Sequence, residues 1–235
     1  MKHLVLLHGW AMHSGLWGDF AAQLSPHYRV TLIDLPWHDN LEAISDEIVA
    51  TLDDEPFYVL GWSLGGTVAL DIAARYSNRV QGVILMAANP CFVAQKNWAG
   101  MPVETFDAFT EQLHANPVTT LQRFLALQLQ GSLAFLKDVK ARFALKPAPE
   151  LSDLETSLTL LKTSDLRAFL TNLKCPIAAI LSDNDALIPV EVGQQMQTLQ
   201  PNLHLTVLKN ATHIPFVTQS KNCLNAIHAF LDGIR

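Results

Sequence analysis

The chain has 235 residues, enough for one large α/β domain or for a core domain that carries an inserted subdomain. Apolar residues make up 49% of the chain, an ordinary fraction for a globular protein, whereas the charged fraction of only 16% and the mean hydropathy of +0.19 indicate an extensive apolar interior or an apolar pocket. The formal net charge of -6, without any run of Lys and Arg, argues against nucleic acid as the main partner.

The cysteine content and the hydropathy of the sequence indicate the cellular compartment of the protein. The three cysteines, Cys91, Cys175 and Cys223, are widely spaced and odd in number, which suits a reducing compartment better than a disulfide framework. No apolar run reaches the length of a membrane span, and the run at residues 4–7 is too short for a signal peptide. We therefore expect a cytoplasmic protein without a membrane segment. Separately, we expect a monomer.

Short apolar runs alternate with helical patterns in the first part of the chain. The runs show no polar alternation, which is typical of strands buried on both faces of a parallel sheet. They lie at 3–7, 28–34, 57–61 and 80–86. The helical patterns between them lie at 14–24, 44–52 and 64–76. This alternation predicts an α/β fold, a mostly parallel sheet with helices on both faces.

The alternation stops after Ala88 and resumes near Cys175. Between them the sequence contains only helical patterns, near 102–115, 117–130, 132–145 and 153–162. Strand patterns at 175–181 and 203–208 and helical patterns at 190–199 and 220–231 then follow. We therefore expect a core formed by residues 1–90 and 163–235, with residues 91–162 inserted as an all-helical cap.

The stretch Tyr58–Leu70 predicts a buried strand, a tight turn and the start of a helix, with Ser63 at the tip of the turn. Gly61 and Gly65 flank the serine in the pattern G-x-S-x-G, the nucleophile elbow, in which the backbone lifts a serine hydroxyl above a sheet. Glycines are needed there because strand and helix pass too close for a Cβ. The pattern alone is weak, since about 0.08 chance matches are expected in a chain of this length.

Two later loops supply the partners that a serine nucleophile needs, a base and a group that orients the base. Asp185 follows the strand at 175–181 and His213 follows the strand at 203–208, so the chain order is serine, acid, histidine. We predict Ser63 as nucleophile, His213 as general base and acid, and Asp185 as the orienting carboxylate. Asp183 is the alternative acid. Taken singly, such an Asp could be a helix N-cap and such a His purely structural.

The oxyanion of acyl transfer needs two positioned N–H donors. The backbone N–H of Leu64, the residue after the nucleophile, is the first candidate, and the N–H of Trp10, in the loop after the first strand, is the second. We interpret His8 as a histidine that braces this loop. His13 and His38 have no second ligand at a useful spacing, so we expect no metal and no cofactor.

Six stretches together resemble the pimeloyl-acyl-carrier-protein methyl ester esterases of biotin synthesis, which belong to the α/β-hydrolase superfamily. They are His8–Trp10, Asp34–Pro36, Gly61–Gly66, Asn89–Phe92, Arg123–Gln128 and Ala211–Phe216. The resemblance implies a carboxylesterase that removes the methyl group from a pimeloyl chain on acyl carrier protein. It also implies an α/β-hydrolase fold with a cap inserted after the family's sixth strand. Because Met1 lies almost at the His-Gly strand, we expect the family's first two strands to be absent.

The cap and pocket residues carry further expectations. Acyl carrier protein is acidic, so a receptor surface should be basic near the pocket mouth. The candidates for this surface are Arg123, Lys137, Lys140 and Arg142, which cluster with Lys146 in the cap. An ordinary solvated helix face is the alternative for these residues. The candidates for substrate binding are Trp10, Leu64, Phe124, Arg123 and Trp62. Phe124 and Trp62 could instead belong to core packing.

Several other activities share this triad and this capped fold. They are broad-specificity short-chain carboxylesterase, thioesterase and C–C hydrolase activity, and a lyase activity of the menaquinone pathway. Motifs do not separate them. A hydrolase-fold receptor without enzymatic activity is a further alternative, but a decayed site should lack a triad member, and this chain has all three.

Overall fold

Six parallel strands form a single sheet in the computed structural model, which describes residues 1–130 and 132–234. The strands are β1 (His3–Leu7), β2 (Arg29–Ile33), β3 (Phe57–Trp62), β4 (Val80–Met86), β5 (Ile177–Ser182) and β6 (His204–Leu208). Their order across the sheet is β2-β1-β3-β4-β5-β6, and every neighbouring pair is parallel. The predicted parallel sheet is confirmed.

Burial along the strands explains why the sequence runs are apolar throughout. Every residue of β1 and β3 is buried, which requires cover on both faces of the sheet, whereas the edge strand β2 is partly exposed. The α-helices described outside the segment between β4 and β5 are α1 (Gly18–Leu24), α2 (Leu41–Ala50), α3 (Leu64–Arg75), α9 (Val192–Leu199), α10 (Pro215–Thr218) and α11 (Ser220–Gly233), and a short 3-10 helix at Ser14–Trp17 precedes α1.

The segment between β4 and β5 is helical. Its helices are α4 (Val103–Ala115), α5 (Pro117–Leu127), α6 (Leu136–Phe143), α7 (Leu151–Thr163) and α8 (Arg167–Asn172). In the described part of this segment, β-structure is limited to isolated bridges. Helix α8 was not predicted; it packs against α3 and α9 of the core. The cap boundaries at residues 91 and 162 stay a prediction.

The strand order places a crevice at the carboxyl ends of β1 and β3. From β1 the chain first moves to one side to form β2 and then crosses to the other side to form β3. Parallel sheets bind ligands at such a reversal, because the loops leave the two strands in opposite directions. The loop that begins at His8 and the turn at Ser63 lie at this position.

Among the described residues, no helix is long and apolar enough to span a membrane.

Candidate active site

Ser63 lies at a sharp turn between β3 and α3, with φ 55° and ψ −121°. Its backbone N–H donates to the Met86 carbonyl at 3.1 Å. A Cβ on Gly61 would lie 2.1 Å from the Gly65 carbonyl oxygen, and one on Gly65 would lie 2.4 Å from the Leu7 carbonyl oxygen. Both glycines are therefore required by the close approach of strand and helix, and the predicted strand–turn–helix is present.

His213 and Asp185 form a buried pair at the ends of β6 and β5. The His213 Nδ1 atom lies 2.8 Å from Asp185 Oδ2 and 3.0 Å from Oδ1, and the two side chains are 0% and 1% exposed. Asp185 Oδ1 also accepts the backbone N–H groups of Leu187 and Ile188, at 2.8 and 3.1 Å. Because a carboxylate only accepts hydrogen bonds, the neutral tautomer that fits this pair carries its proton on Nδ1 and keeps a lone pair on Nε2.

The alternative acid lies elsewhere. Asp183 accepts the Asn210 backbone N–H at 2.6 Å, and its carboxylate lies 3.4 Å from Lys209 Nζ. The structure thus brings Asp185, and not Asp183, to His213.

The histidine loop is attached to the residue that precedes the serine. Trp62 Nε1 donates to the His213 carbonyl at 2.7 Å, and the two rings lie 5.7 Å apart. His213 Nε2 is buried and has no hydrogen-bond partner among the described residues, the Ser63 hydroxyl included. In sites without substrate this catalytic bond is often long and shortens when substrate binds.

The two candidate oxyanion donors adjoin the serine. Leu64 is the first residue of α3, so its N–H has no acceptor within the helix. A Cβ on Gly9 would lie 3.1 Å from the Ser63 Cβ, which places the loop after β1 against Ser63. Within the described ranges, the Trp10 and Leu64 N–H groups make no hydrogen bond. Both groups are therefore available to a developing oxyanion.

His8 braces this loop, as the sequence interpretation expects. Its Nε2 accepts the Leu35 N–H at 2.9 Å, and its Nδ1 lies 2.9 Å from the Gly9 carbonyl oxygen. Burial lowers the pKa of His8 to about 4, so its ring is neutral at ordinary pH.

An apolar pocket of about 540 Å³, counting its mouth, opens beside Ser63. Trp10 lies in its wall; the indole Nε1 donates to the Leu154 carbonyl of α7 at 3.1 Å. The Phe124 ring packs edge-on against Trp10, with centroids 5.0 Å apart. Pocket walls from both the sheet loops and the helices α4, α5 and α7 suit an apolar acyl chain with its carbonyl at the serine.

Residues 2–220 match the family model described as alpha/beta hydrolase fold. The chain belongs to the α/β-hydrolase family. A Methylococcus capsulatus protein named pimeloyl-[acyl-carrier protein] methyl ester esterase is 34% identical over 97% of this chain and 94% of its own length. A Nitrosomonas europaea protein of the same name is 37% identical over 95% of this chain and 94% of its own. These matches confirm the resemblance inferred from the motifs.

Solved structures show the same fold. A bromoperoxidase from Bacillus anthracis superposes with a TM-score of 0.87 at 21% identity, covering 98% of this chain and 92% of its own. An esterase from Exiguobacterium antarcticum gives a TM-score of 0.86 at 18% identity, covering 99% and 92%. At these identities the likeness concerns the α/β-hydrolase fold alone.

The predicted substrate-binding residues of this hydrolase fold separate into two groups. Trp10 and Phe124 line the pocket. Trp62 is instead 1% exposed and packs against Trp17 and Phe216, so the core-packing alternative describes it. Leu64 is buried beside Ser63 without lining the pocket, and Arg123 is exposed on the helix α5.

Motifs did not find most of the pocket wall. Apart from Thr105, the missed residues have apolar side chains; they include Phe92, Met101, Phe106, Phe109, Leu158 and Leu187. The available signal was the apolar stripe on the cap helices, but such a stripe does not show whether it faces a pocket or a packed core.

The basic cap residues are not equivalent. Arg142, which was expected on an open receptor surface, is engaged instead: its guanidinium lies 2.9 Å from both Asp19 of α1 and Asp138. Its side chain is only 18% exposed. Of the four predicted candidates, the other three, Arg123, Lys137 and Lys140, are exposed and form no ion pair with the residues that the structure describes. Arg142 thus connects α6 to the core, because its guanidinium forms an ion pair with Asp19 of α1.

No group of three or more His, Cys, Asp or Glu side chains that could hold a metal ion occurs within residues 1–130 and 132–234.

Proposed function

We propose that this chain is a serine carboxylesterase that hydrolyses the methyl ester of pimeloyl-acyl carrier protein in biotin synthesis. The observation that carries the proposal is the pairing of two features. Ser63 occupies a positive-φ elbow on the wall of an apolar pocket. The buried Asp185–His213 pair leaves an imidazole lone pair for proton transfer. The relatives, similar over nearly their whole lengths, support the choice of substrate.

The proposed reaction has two halves. His213 Nε2 takes the Ser63 proton while the serine oxygen attacks the ester carbonyl, and the Trp10 and Leu64 N–H groups bind the oxyanion. The imidazolium, stabilised by Asp185, then gives its proton to the departing methoxide, which leaves as methanol. Water repeats these steps on the acyl-enzyme and releases the carboxylic acid.

The carrier protein would bind to the cap. Arg123, Lys137 and Lys140 are exposed on α5 and α6, and an acidic partner would be steered towards them. Lysine presents a point charge, so two of these three contacts would lack the paired hydrogen bonds of arginine. Arg142 is left out of this surface because its charge is already paired. The proposal places the enzyme in the cytoplasm as a monomer.

The charge of the cap can be tested separately from the chemistry. Arg123→Glu and Lys140→Glu should raise KM for the carrier-bound ester by about tenfold, since each reverses a charge near the acidic partner. They should leave a free p-nitrophenyl ester unaffected. Lys221→Glu on α11 is the matched control. Equal effects of all three variants on the carrier-bound ester would contradict this docking surface.

Growth without biotin tests the function as a whole. A strain that lacks its methyl ester esterase should grow without biotin when it carries this chain or the Ser77→Ala control, whose serine is exposed in a turn. It should not grow with Ser63→Ala. Growth failure with the wild-type chain, while the purified protein cleaves aryl esters, would contradict the pimeloyl substrate and leave the esterase chemistry standing.

A further inference from the structure

We propose that His8 is a positioning residue: it orients the Trp10 backbone N–H as the second oxyanion donor. This inference rests on the proposed function, because it assumes that the Trp10 N–H binds the oxyanion. The proposed role goes beyond holding the loop after β1 in place. It gives His8, a side chain outside the triad, an effect on the stability of the transition state.

The Gly9 carbonyl connects the His8 side chain to the Trp10 N–H. This carbonyl and the Trp10 N–H belong to one peptide group, which is planar and trans, so the two point in opposite directions. Gly9 O accepts from His8 Nδ1 at 2.9 Å and from the Met12 N–H at 3.2 Å. Two donors on the carbonyl side fix the rotation of the peptide plane. The Trp10 N–H therefore has a fixed direction on the opposite side.

The same peptide lies at the nucleophile. A Cβ on Gly9 would come within 3.1 Å of the Ser63 Cβ and 3.0 Å of the Trp62 ring. The loop therefore packs closely against Ser63, and rotation of the Gly9–Trp10 peptide plane is the motion that would misdirect the Trp10 N–H. The His8 hydrogen bond opposes that rotation.

The surroundings of His8 also fix where its proton sits. The Leu35 N–H can only donate, so Nε2 must accept and the single proton of the neutral ring lies on Nδ1, facing Gly9 O. The charged and titratable groups nearby are Asp34, whose carboxylate lies 3.9 Å from Nε2, together with His13 and Lys146. Burial keeps the ring neutral, which maintains this donor at ordinary pH.

Two amide substitutions separate the two hydrogen bonds of His8. In His8→Asn the side-chain NH₂ can take the place of Nδ1 and donate to Gly9 O, while the Leu35 N–H loses its acceptor. In His8→Gln the longer side chain can offer its oxygen to Leu35, while the donor to Gly9 O is lost. A purely structural role through Leu35 would favour Gln, whereas a role in the oxyanion site favours Asn.

The assay is steady-state hydrolysis of a p-nitrophenyl ester, with the melting temperature of each variant measured alongside. We expect His8→Gln to lose about 10- to 100-fold in kcat with KM within about threefold, because complete removal of an oxyanion donor costs about 10²–10³ in kcat. We expect His8→Asn to keep kcat within about threefold even if its melting temperature is the lower of the two. A boronic acid, whose adduct places an anionic oxygen at the same donors, should bind more weakly to His8→Gln.

Wild-type kcat in His8→Gln, or equal losses in both variants, would overturn the proposal. Should His8→Gln fail to fold, the Asn variant decides: retained kcat supports the role and a loss beyond about tenfold refutes it. Wild-type protein that cleaves the aryl ester but not the carrier-bound ester would contradict the pimeloyl substrate alone. A wild-type protein inactive on both would contradict both proposals.

Discussion

Replacing Asp185 by Asn should abolish most activity through the tautomer of His213. Asp185 Oδ1 accepts two backbone N–H groups, from Leu187 and Ile188, and those donors would hold the oxygen of an Asn in the same place. The NH₂ group would then occupy the Oδ2 position, 2.8 Å from His213 Nδ1. Two donors cannot face each other, so Nδ1 would give up its proton to become an acceptor, and Nε2 would carry the proton instead.

A protonated Nε2 cannot take the Ser63 proton. We therefore expect kcat/KM for a p-nitrophenyl ester to fall by about 10⁴-fold, or about 5 kcal/mol of transition-state stabilisation. Asp183→Asn is the matched control, because its partners are the Asn210 N–H and Lys209 rather than His213. It should stay within about threefold of wild type. The reasoning is refuted if Asp185→Asn stays within about tenfold of wild type, or if Asp183→Asn is the more damaging change.

Three further predictions concern stability and pocket size. Gly61→Ala should lower the free energy of unfolding in urea by about 3 kcal/mol or more, since its Cβ would lie 2.1 Å from the Gly65 oxygen. Gly233→Ala should change it by less than about 1 kcal/mol, because among the described residues no atom outside its chain neighbours and its own helix backbone lies within 4 Å of the new Cβ. Similar losses in both variants would contradict the elbow packing. The folded pKa of His8 is about 4 against 6.5 unfolded, so the unfolded chain binds the proton first as the pH falls. The free energy of unfolding should therefore fall by about 3 kcal/mol as the pH is lowered from 6.5 to 4. The His8→Asn variant should lack this contribution to the pH dependence of the free energy of unfolding. Phe124→Ala should raise KM for a p-nitrophenyl hexanoate about tenfold and for the acetate less than about twofold, because only the longer chain reaches the removed ring; equal changes would place the acyl chain elsewhere.

Local patterns predicted the sheet, because strands buried on both faces must be apolar at every position. β1 and β3 are of this kind, and the glycines around Ser63 reported a close approach that no other residue permits. The sequence order of Ser63, Asp185 and His213 likewise predicted that they lie at one edge of the sheet. Each follows a strand, and parallel strands have their carboxyl ends at the same edge.

Local patterns did not predict whether a given side chain lies in the pocket, in the core or on the surface. Trp62 and Phe124 both looked like pocket residues, yet Trp62 packs in the core and Phe124 lines the pocket. The difference depends on contacts with residues far away in the chain. Arg142 similarly lies in a basic stretch, and only the fold brings Asp19 of α1 to its guanidinium.

The most direct test of the account is methanol release from methyl pimeloyl-acyl carrier protein by purified wild-type and Ser63→Ala protein. The wild type should release methanol and leave the thioester to the carrier intact. Ser63→Ala should be slower by at least about 10⁴-fold, since the nucleophile is lost. Methanol release at equal rates by the two proteins, or cleavage of the thioester in place of the methyl ester, would contradict the account.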